Sequence, residues 1–252
     1  KAVYAAKGRP SDNPMIVHIA ELSALPELVT AIPENAKILA EAFWPGPLTM
    51  VLPRSSKIPL TTTGGLQTVA IRMPSHPVAR AVIRAAGVPL AAPSANRSGS
   101  PSPTTFRHCV DDLWGLVDAI VESDDCTVGV ESTVVSFLPD GTPQILRPGA
   151  VTPEEIQQRC GCVSVAEAVL HMLPQDAAAP SPGMKYKHYA PAATLTLLCG
   201  SREDYAARVN EYYETLQGLM ERWEYEIVEF KSATGQYSPE KIGRYFSAIS
   251  CE

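Results

Sequence analysis

The stretch "TVAIRMPSHPVARAVIRAAGVPLAAPSAN", Thr68 to Asn96, decides the fold. Its first five residues alternate, so Thr68, Ala70 and Arg72 share one face of an extended strand and Val69 and Ile71 share the other. From His76 the apolar spacing becomes helical, and Gly87 stops it. VPLAAPSAN then reads as a buried strand leaving the core. Strand, helix and strand in close succession point to an α/β fold.

Working outward, LTMVLP (48–53) and MIVHIA (15–20) are further strands. LSALPELVTAI (22–32) and ENAKILAEAFW (34–44) are helical, the second ended by Pro45-Gly46-Pro47. AVYAAK is a helix that Gly8 and Pro10 stop near Lys7. Downstream, DLWGLVDAIVES (112–123) reads as a helix. STVVSFL and PQILRPG read as paired strands around Pro139-Asp140-Gly141. In VTPEEIQQRCG, Thr152 is an N-cap, Pro153 the first helical residue and Glu155 closes a capping box. Composition shifts after His171. The expected organisation is a larger first domain over 1–170, a Pro/Ala-rich linker over 171–192 and a small strand–helix–strand α/β domain over 193–252. The chain starts within a helical pattern and without Met, which suggests a preceding segment.

The net charge of -6 gives no general case for nucleic-acid binding. No apolar run approaches the length of about 18 residues that a membrane helix needs. Six scattered cysteines, with Cys160-Gly161-Cys162 the closest pair, read as reduced thiols in the cytoplasm. Between Glu41 and Asp111 there is no acid, while Arg54, Lys57, Arg72, Arg80, Arg84, Arg97 and Arg107 fall there. Such a stretch is either a solvated basic face or a site for a polyanion.

The candidate chemistry is electrostatic. Lys7 and Arg9 flank Gly8, so an extended loop would aim both cations the same way, as a triphosphate needs. Asn13 precedes Pro14 and is pushed extended. Arg72 ends an apolar strand and needs an anionic partner, either a distant acid or a ligand carboxylate or phosphate. Ser94 and Asn96 alternate in a loop whose Ala91, Ala92 and Ala95 let a ligand approach the backbone. Ser132 and Thr133 stand at a strand start, and His18 lies within the MIVHIA strand. No GxxxxGK[ST], GxGxxG, HExxH or Ser/His/Asp signature occurs. Positioning and charge neutralisation are therefore the expected means of catalysis.

KGRPSDNPMIVHI, WPGPLTMVLP, GGLQTVAIRMPSHP, PLAAPSANRSGSPSPT, ESTVV and ILRPGAVT occur in this order. Together they resemble the YrdC-like family, the threonylcarbamoyl-AMP synthases in particular. SPGMKYKHYAP is similar to the linker of their two-domain form, which adds a small Rossmann-like domain. The resemblance implies a twisted mixed sheet flanked by helices. It implies synthesis of threonylcarbamoyl-AMP and pyrophosphate from L-threonine, bicarbonate or CO2, and ATP. The product would feed a transferase complex that modifies tRNA adenosine, and direct tRNA binding stays open. By motif position, Lys7, Arg9, Asn13, Thr68, Ser94, Ser102 and Arg147 would contact ATP, with Asn96 beside Ser94 and Tyr189 closing over the nucleotide. Threonine would be held by His18, Arg72, the backbone at Ala92, and Ser132. Mg2+ would accompany ATP, without an evident protein ligand. Two features depart from the family pattern: its Pro-Thr-(Glu/Asp)-Thr-Val-Tyr-Gly-Leu segment is absent, and Ser136 replaces the usual Asp after STVV. The alternative reading is a nucleotide- or RNA-binding module without synthase activity.

Overall fold

The computed structural model describes residues 2–10, 12–170, 201 and 207–214 of the 252. The chain divides into two units, Lys1–Ala190 and Pro191–Glu252. In the second, residues 207–214 are helical, within the helix expected there. The linker, Tyr189 and the two strands expected of the second domain lie outside the described residues.

The first unit is built on a seven-stranded mixed sheet. Its strands are β1 (Ile16–His18), β2 (Leu48–Pro53), β3 (Thr68–Arg72), β4 (Leu90–Ala92), β5 (Thr133–Phe137), β6 (Pro143–Arg147) and β7 (Ser164–Val165). The spatial order is β4-β1-β3-β2-β5-β6-β7. Parallel pairs (β1 with β3, β2 with β5) alternate with antiparallel ones (β1 with β4, β2 with β3). Among the described residues of this unit, seven α-helices accompany the sheet: α1 (Ala2–Lys7), α2 (Leu25–Leu28), α3 (Glu34–Phe43), α4 (Pro77–Ala86), α5 (Phe106–Leu113), α6 (Pro153–Cys160) and α7 (Glu167–Leu170).

The alternation of strand residues separates two faces. Val17, Met50, Leu52, Ile71 and Ile145 turn to a large core shared with Leu39 of α3 and Ile156 of α6. Each fully buried aliphatic chain there contributes about 1.5–3 kcal/mol of transfer free energy. The opposite face carries a smaller cluster, Val51, Ala70, Val134 and Leu146, with Ile16 packed against it. By the two-residue period, His18, Thr49 and Arg72 lie on this second face, at one end of β1, β2 and β3. The functional side chains are thus carried by the thinly covered face. On α6 the expected capping box is present: Glu155 N–H donates to the Thr152 hydroxyl and Thr152 N–H to the Glu155 carboxylate.

Three expectations need correction. The helix expected over 112–123 is instead α5, six residues earlier, because the Thr105 side chain caps it by accepting from His108 N–H. Trp114 turns extended and Gly115 takes φ +75°, which ends the helix before the apolar run. The residues that suggested a core face are exposed, Trp114 at 76% and Val121 at 67%. β4 is half-buried rather than buried, because among the described residues it is an edge strand paired only with β1. Residues 22–32 form a 3-10 turn and the single-turn α2, after which Val29 is extended and bridges to Arg54.

Candidate functional site

A cleft of about 640 Å³ opens over the second face of the sheet. That volume falls in the range of small-molecule sites. Its walls come from Lys7 at the end of α1 and Arg9 after it, His18 and Arg72 at strand ends, residues 74–78 leading into α4, residues 92–96, 98, 99 and 102–104, the segment 123–132, and Arg147. Of the residues singled out in the sequence, it gathers Lys7, Arg9, His18, Arg72, Ala92, Ser94, Asn96, Ser102, Ser132 and Arg147. Asn13 and Thr68 are not in its lining. Asn13 is buried in the loop after Arg9, and Thr68 sits at the opposite end of β3 from Arg72, paired with Pro53.

Lys7 does not simply point at open space. Its ammonium donates to the carbonyl of Ser94 at 2.5 Å, to the carbonyl of Asn96, and to Asn96 Oδ1 at 3.3 Å. Burial, and then the positive charge of Arg9, pull its pKa down to about 8. Asn96 completes the arrangement: its amide donates to the carbonyls of Arg97 and Ser100, each at 2.8 Å. Asn96 thus shapes the loop while lining the cleft. Arg9 donates to the carbonyl of Pro14 at 2.8 Å. The Ser102 hydroxyl is buried without a partner among the described residues, which leaves it for a ligand oxygen.

On the sheet side, Arg72 Nε donates to the carbonyl of Gly46 at 3.0 Å. Among the described residues no carboxylate lies within ion-pair distance of it. Burial, and then the neighbouring Arg147 guanidinium, hold its pKa below the usual arginine value. Arg147 in turn donates to the carbonyl of Ser132 at 2.8 Å and to its hydroxyl at 3.1 Å. Two neighbouring guanidinium groups give this part of the cleft the chemistry to bind an anion.

Two family models match the chain. One, described as telomere recombination (Sua5/YciO/YrdC), covers residues 1–149, which hold every residue of the cleft. The chain belongs to the Sua5/YciO/YrdC family. The other, described as the threonylcarbamoyl-AMP synthase C-terminal domain, covers residues 151–243. The threonylcarbamoyl-AMP synthases of Pyrococcus abyssi and Bacillus subtilis are 46% and 48% identical over 84% and 85% of the chain. The chain spans 61% of the length of each. A crystal structure of P. abyssi Sua5 complexed with L-threonine superimposes with a TM-score of 0.80 at 39% identity, covering 98% of the chain and 73% of that protein. The mixed α/β sheet is thus the Sua5/YciO/YrdC architecture.

The charge pattern of this Sua5/YciO/YrdC domain differs from what the acid-free stretch implied. Of its seven cations, only Arg72 lines the cleft. Lys57 pairs with Glu27 at 2.7 Å, Arg84 with Glu21 at 2.6 Å and Arg107 with Asp111 at 4.0 Å, and Arg80 reaches Glu21 as well. The other cleft cations, Lys7, Arg9 and Arg147, lie outside the stretch. The cleft also holds Asp124, Asp125 and Glu131, so it is not depleted of carboxylates. These belong to a strap, 123–132, that sequence reasoning missed. The strap is tied down where Ser123 Oγ meets His76 Nε2 at 2.9 Å and Cys126 N–H donates to the carbonyl of Thr104 at 2.8 Å. His76 Nδ1 accepts from Val78 N–H, so His76 Nε2 carries the proton and donates to Ser123. Its only sequence signal was the acidic pair just ahead of GVESTVV. Among the described residues no group of three His, Cys, Asp or Glu side chains suits a metal ion. No described helix is long and apolar enough to cross a membrane.

His18 gives the site a pH limit. Nδ1 donates to the carbonyl of Ile16 at 3.1 Å, and burial followed by the Arg72 charge brings its pKa down to about 4. The unfolded chain, with an ordinary histidine near pH 6.5, binds the proton first, so stability is full above 6.5 and declines as pH falls toward 4. The expected loss from this group is on the order of 3 kcal/mol. Urea titrations of wild type and His18→Gln at pH 7.5 and 4.5 check this. The variant is expected to lose less stability between the two pH values, and an equal loss in both would contradict the assignment.

Proposed function

We propose that the protein is a threonylcarbamoyl-AMP synthase, joining L-threonine, bicarbonate or CO2, and ATP with release of pyrophosphate. The observation that carries this reading is the pair Arg72 and Arg147 sharing one cleft with Lys7, Arg9 and the hydroxyl-rich 94–104 loop. A site of this kind suits two anionic molecules held side by side. The likeness to two named synthases and to a threonine-bound Sua5 supports the same reading.

Arg72 takes the threonine carboxylate as a planar fork, with neutral His18 beside it. The uncharged imidazole adds no positive charge that would repel the substrate amine. The amine takes up CO2 and loses a proton, giving an N-carboxylate. One oxygen of that carboxylate bonds to the α-phosphorus of ATP as the bond to the β-phosphate oxygen breaks. Lys7 and Arg9, with the Ser94 and Ser102 hydroxyls, hold the phosphate chain and offset the charge on departing pyrophosphate. Mg2+ would enter with the nucleotide as part of the substrate. The product, a mixed acyl-phosphate anhydride, passes to a transferase that acylates tRNA adenosine. The strap carboxylates Asp124, Asp125 and Glu131 weigh against the alternative of a general RNA-binding groove, since they would repel a long phosphate backbone.

The test is to incubate the purified protein with ATP, L-threonine and labelled bicarbonate. Pyrophosphate is expected only when threonine is present, together with label in an adenylate. Release that ignores threonine, or no release, would remove the synthase reading.

A further inference from the structure

Thr49 is fully buried on β2, and its hydroxyl meets one partner, Ser132 Oγ, at 2.8 Å. Ser132 is itself 3% exposed and forms part of the cleft wall. A serine hydroxyl offers one proton and two lone pairs, whereas guanidinium can only donate. Arg147 therefore occupies one lone pair of Ser132 Oγ, at 3.1 Å. The Thr49 proton has no other acceptor among the described residues, and a buried hydroxyl left without one costs about 1–3 kcal/mol. The arrangement without that cost has Thr49 donating to the second lone pair of Ser132.

We infer that Thr49 is a positioning residue that makes Ser132 an obligate proton donor into the cleft, so that this subsite takes an acceptor oxygen, carboxylate or carbamate, and not an ammonium. With both lone pairs filled, the Ser132 proton has only the cleft to turn to. The backbone around it is fixed as well: Thr133 N–H donates to the carbonyl of Pro47 at 2.9 Å, and the Thr133 hydroxyl donates to the carbonyl of Val151 at 2.7 Å. Donors from Arg147 and Thr49 also polarise the Ser132 hydroxyl and strengthen the bond it gives.

The identity of the bound oxygen as threonine's rests on the proposed function, and two measurements separate the claims. Neutron diffraction of the ligand-free, deuterium-exchanged protein is expected to show deuterium on Thr49 Oγ1 directed at Ser132 Oγ, with the Ser132 deuterium directed into the cleft. Deuterium on Ser132 directed at Thr49 overturns the inference whatever the substrate is. Calorimetric titration with L-threonine is then run on wild type, Thr49→Val and Thr49→Ser, with melting curves alongside. Thr49→Val, nearly isosteric, is expected to weaken binding about 5- to 30-fold, as loss of one buried hydrogen bond in a polar network does. Thr49→Ser restores binding to within about threefold. Equal affinity in Thr49→Val and wild type, or failure of Thr49→Ser to rescue at equal melting temperature, overturns the positioning role. Wild type that binds no threonine refutes the substrate reading, and the neutron result then decides the donor assignment by itself.

Discussion

Replacing Arg72 with alanine is expected to lower kcat/KM for L-threonine by about 10²–10³-fold while the KM for ATP changes only a few-fold. The estimate follows from truncating one partner of a desolvated charge pair, which costs about 2–5 kcal/mol. Arg72 is well placed for so large an effect. It ends β3 on the cleft face, it is held by the carbonyl of Gly46, and no described carboxylate lies within ion-pair distance of it. Arg72→Lys is expected to recover only part of the loss, because a point charge cannot reproduce the two-pronged match to a carboxylate. Arg9→Ala should show the opposite split, with the KM for ATP raised more than that for threonine. Steady-state kinetics with each substrate varied in turn reads both, and a reversed pattern would interchange the two halves of the site.

The second large effect is expected at Gly149, where a backbone contact leaves no room for a side chain. A Cβ there would lie 2.4 Å from the carbonyl oxygen of Glu131, 2.5 Å from the nitrogen of Thr133 and 2.7 Å from the carbonyl carbon of Ser132. All three are backbone atoms, which cannot swing aside as a side chain would. Gly149 thus lets the chain after β6 lie directly on the segment that carries Ser132. Gly149→Ala must push the two apart, at a cost of about 3 kcal/mol, or roughly 6–12 °C in melting temperature. Because Arg147 donates to both Ser132 oxygens, the same shift separates them, and threonine binding should weaken beyond what the stability loss alone explains. A thermal melt paired with threonine titration below the transition measures both. A melting temperature within about 2 °C of wild type, with unchanged threonine affinity, would show that the contact does not position Ser132.

The legible parts of the sequence were those governed by local rules. TVAIR alternates in the structure as on the page, with Val69 and Ile71 in the large core and Ala70 on the face that Arg72 shares. The Thr152 capping box and the β5–β6 hairpin also depend on neighbours a few residues apart. Lys7 with Arg9, and Ser94 with Asn96, were legible as alternating polar pairs with little bulk around them, and the cleft does bring them together; Ser102 entered by motif position. What stayed hidden depends on distant pairing. Nothing near Arg80 or Arg84 in sequence announces Glu21, so the acid-free stretch overstated the free positive charge. The run 112–123 has a helix-like apolar spacing, but Gly115 interrupts it and the strap that follows folds back onto the cleft. Thr49 reads as an ordinary strand threonine, and its tie to Ser132 spans 83 positions. The place of Asn13 before Pro14 and of Thr68 on the Arg72 face said nothing of distance from the cleft, and the cleft does not include them.

The central claim is that one cleft holds both anionic substrates at once. A crystal structure of the protein grown with L-threonine and a non-hydrolysable ATP analogue tests it most directly. The expected result is both ligands in the cleft, the threonine carboxylate on Arg72, the Ser132 hydroxyl donating to a threonine oxygen, and the phosphates against Lys7, Arg9 and Ser102. Threonine bound away from Arg72, or the two ligands displacing each other from a single position, would contradict the account.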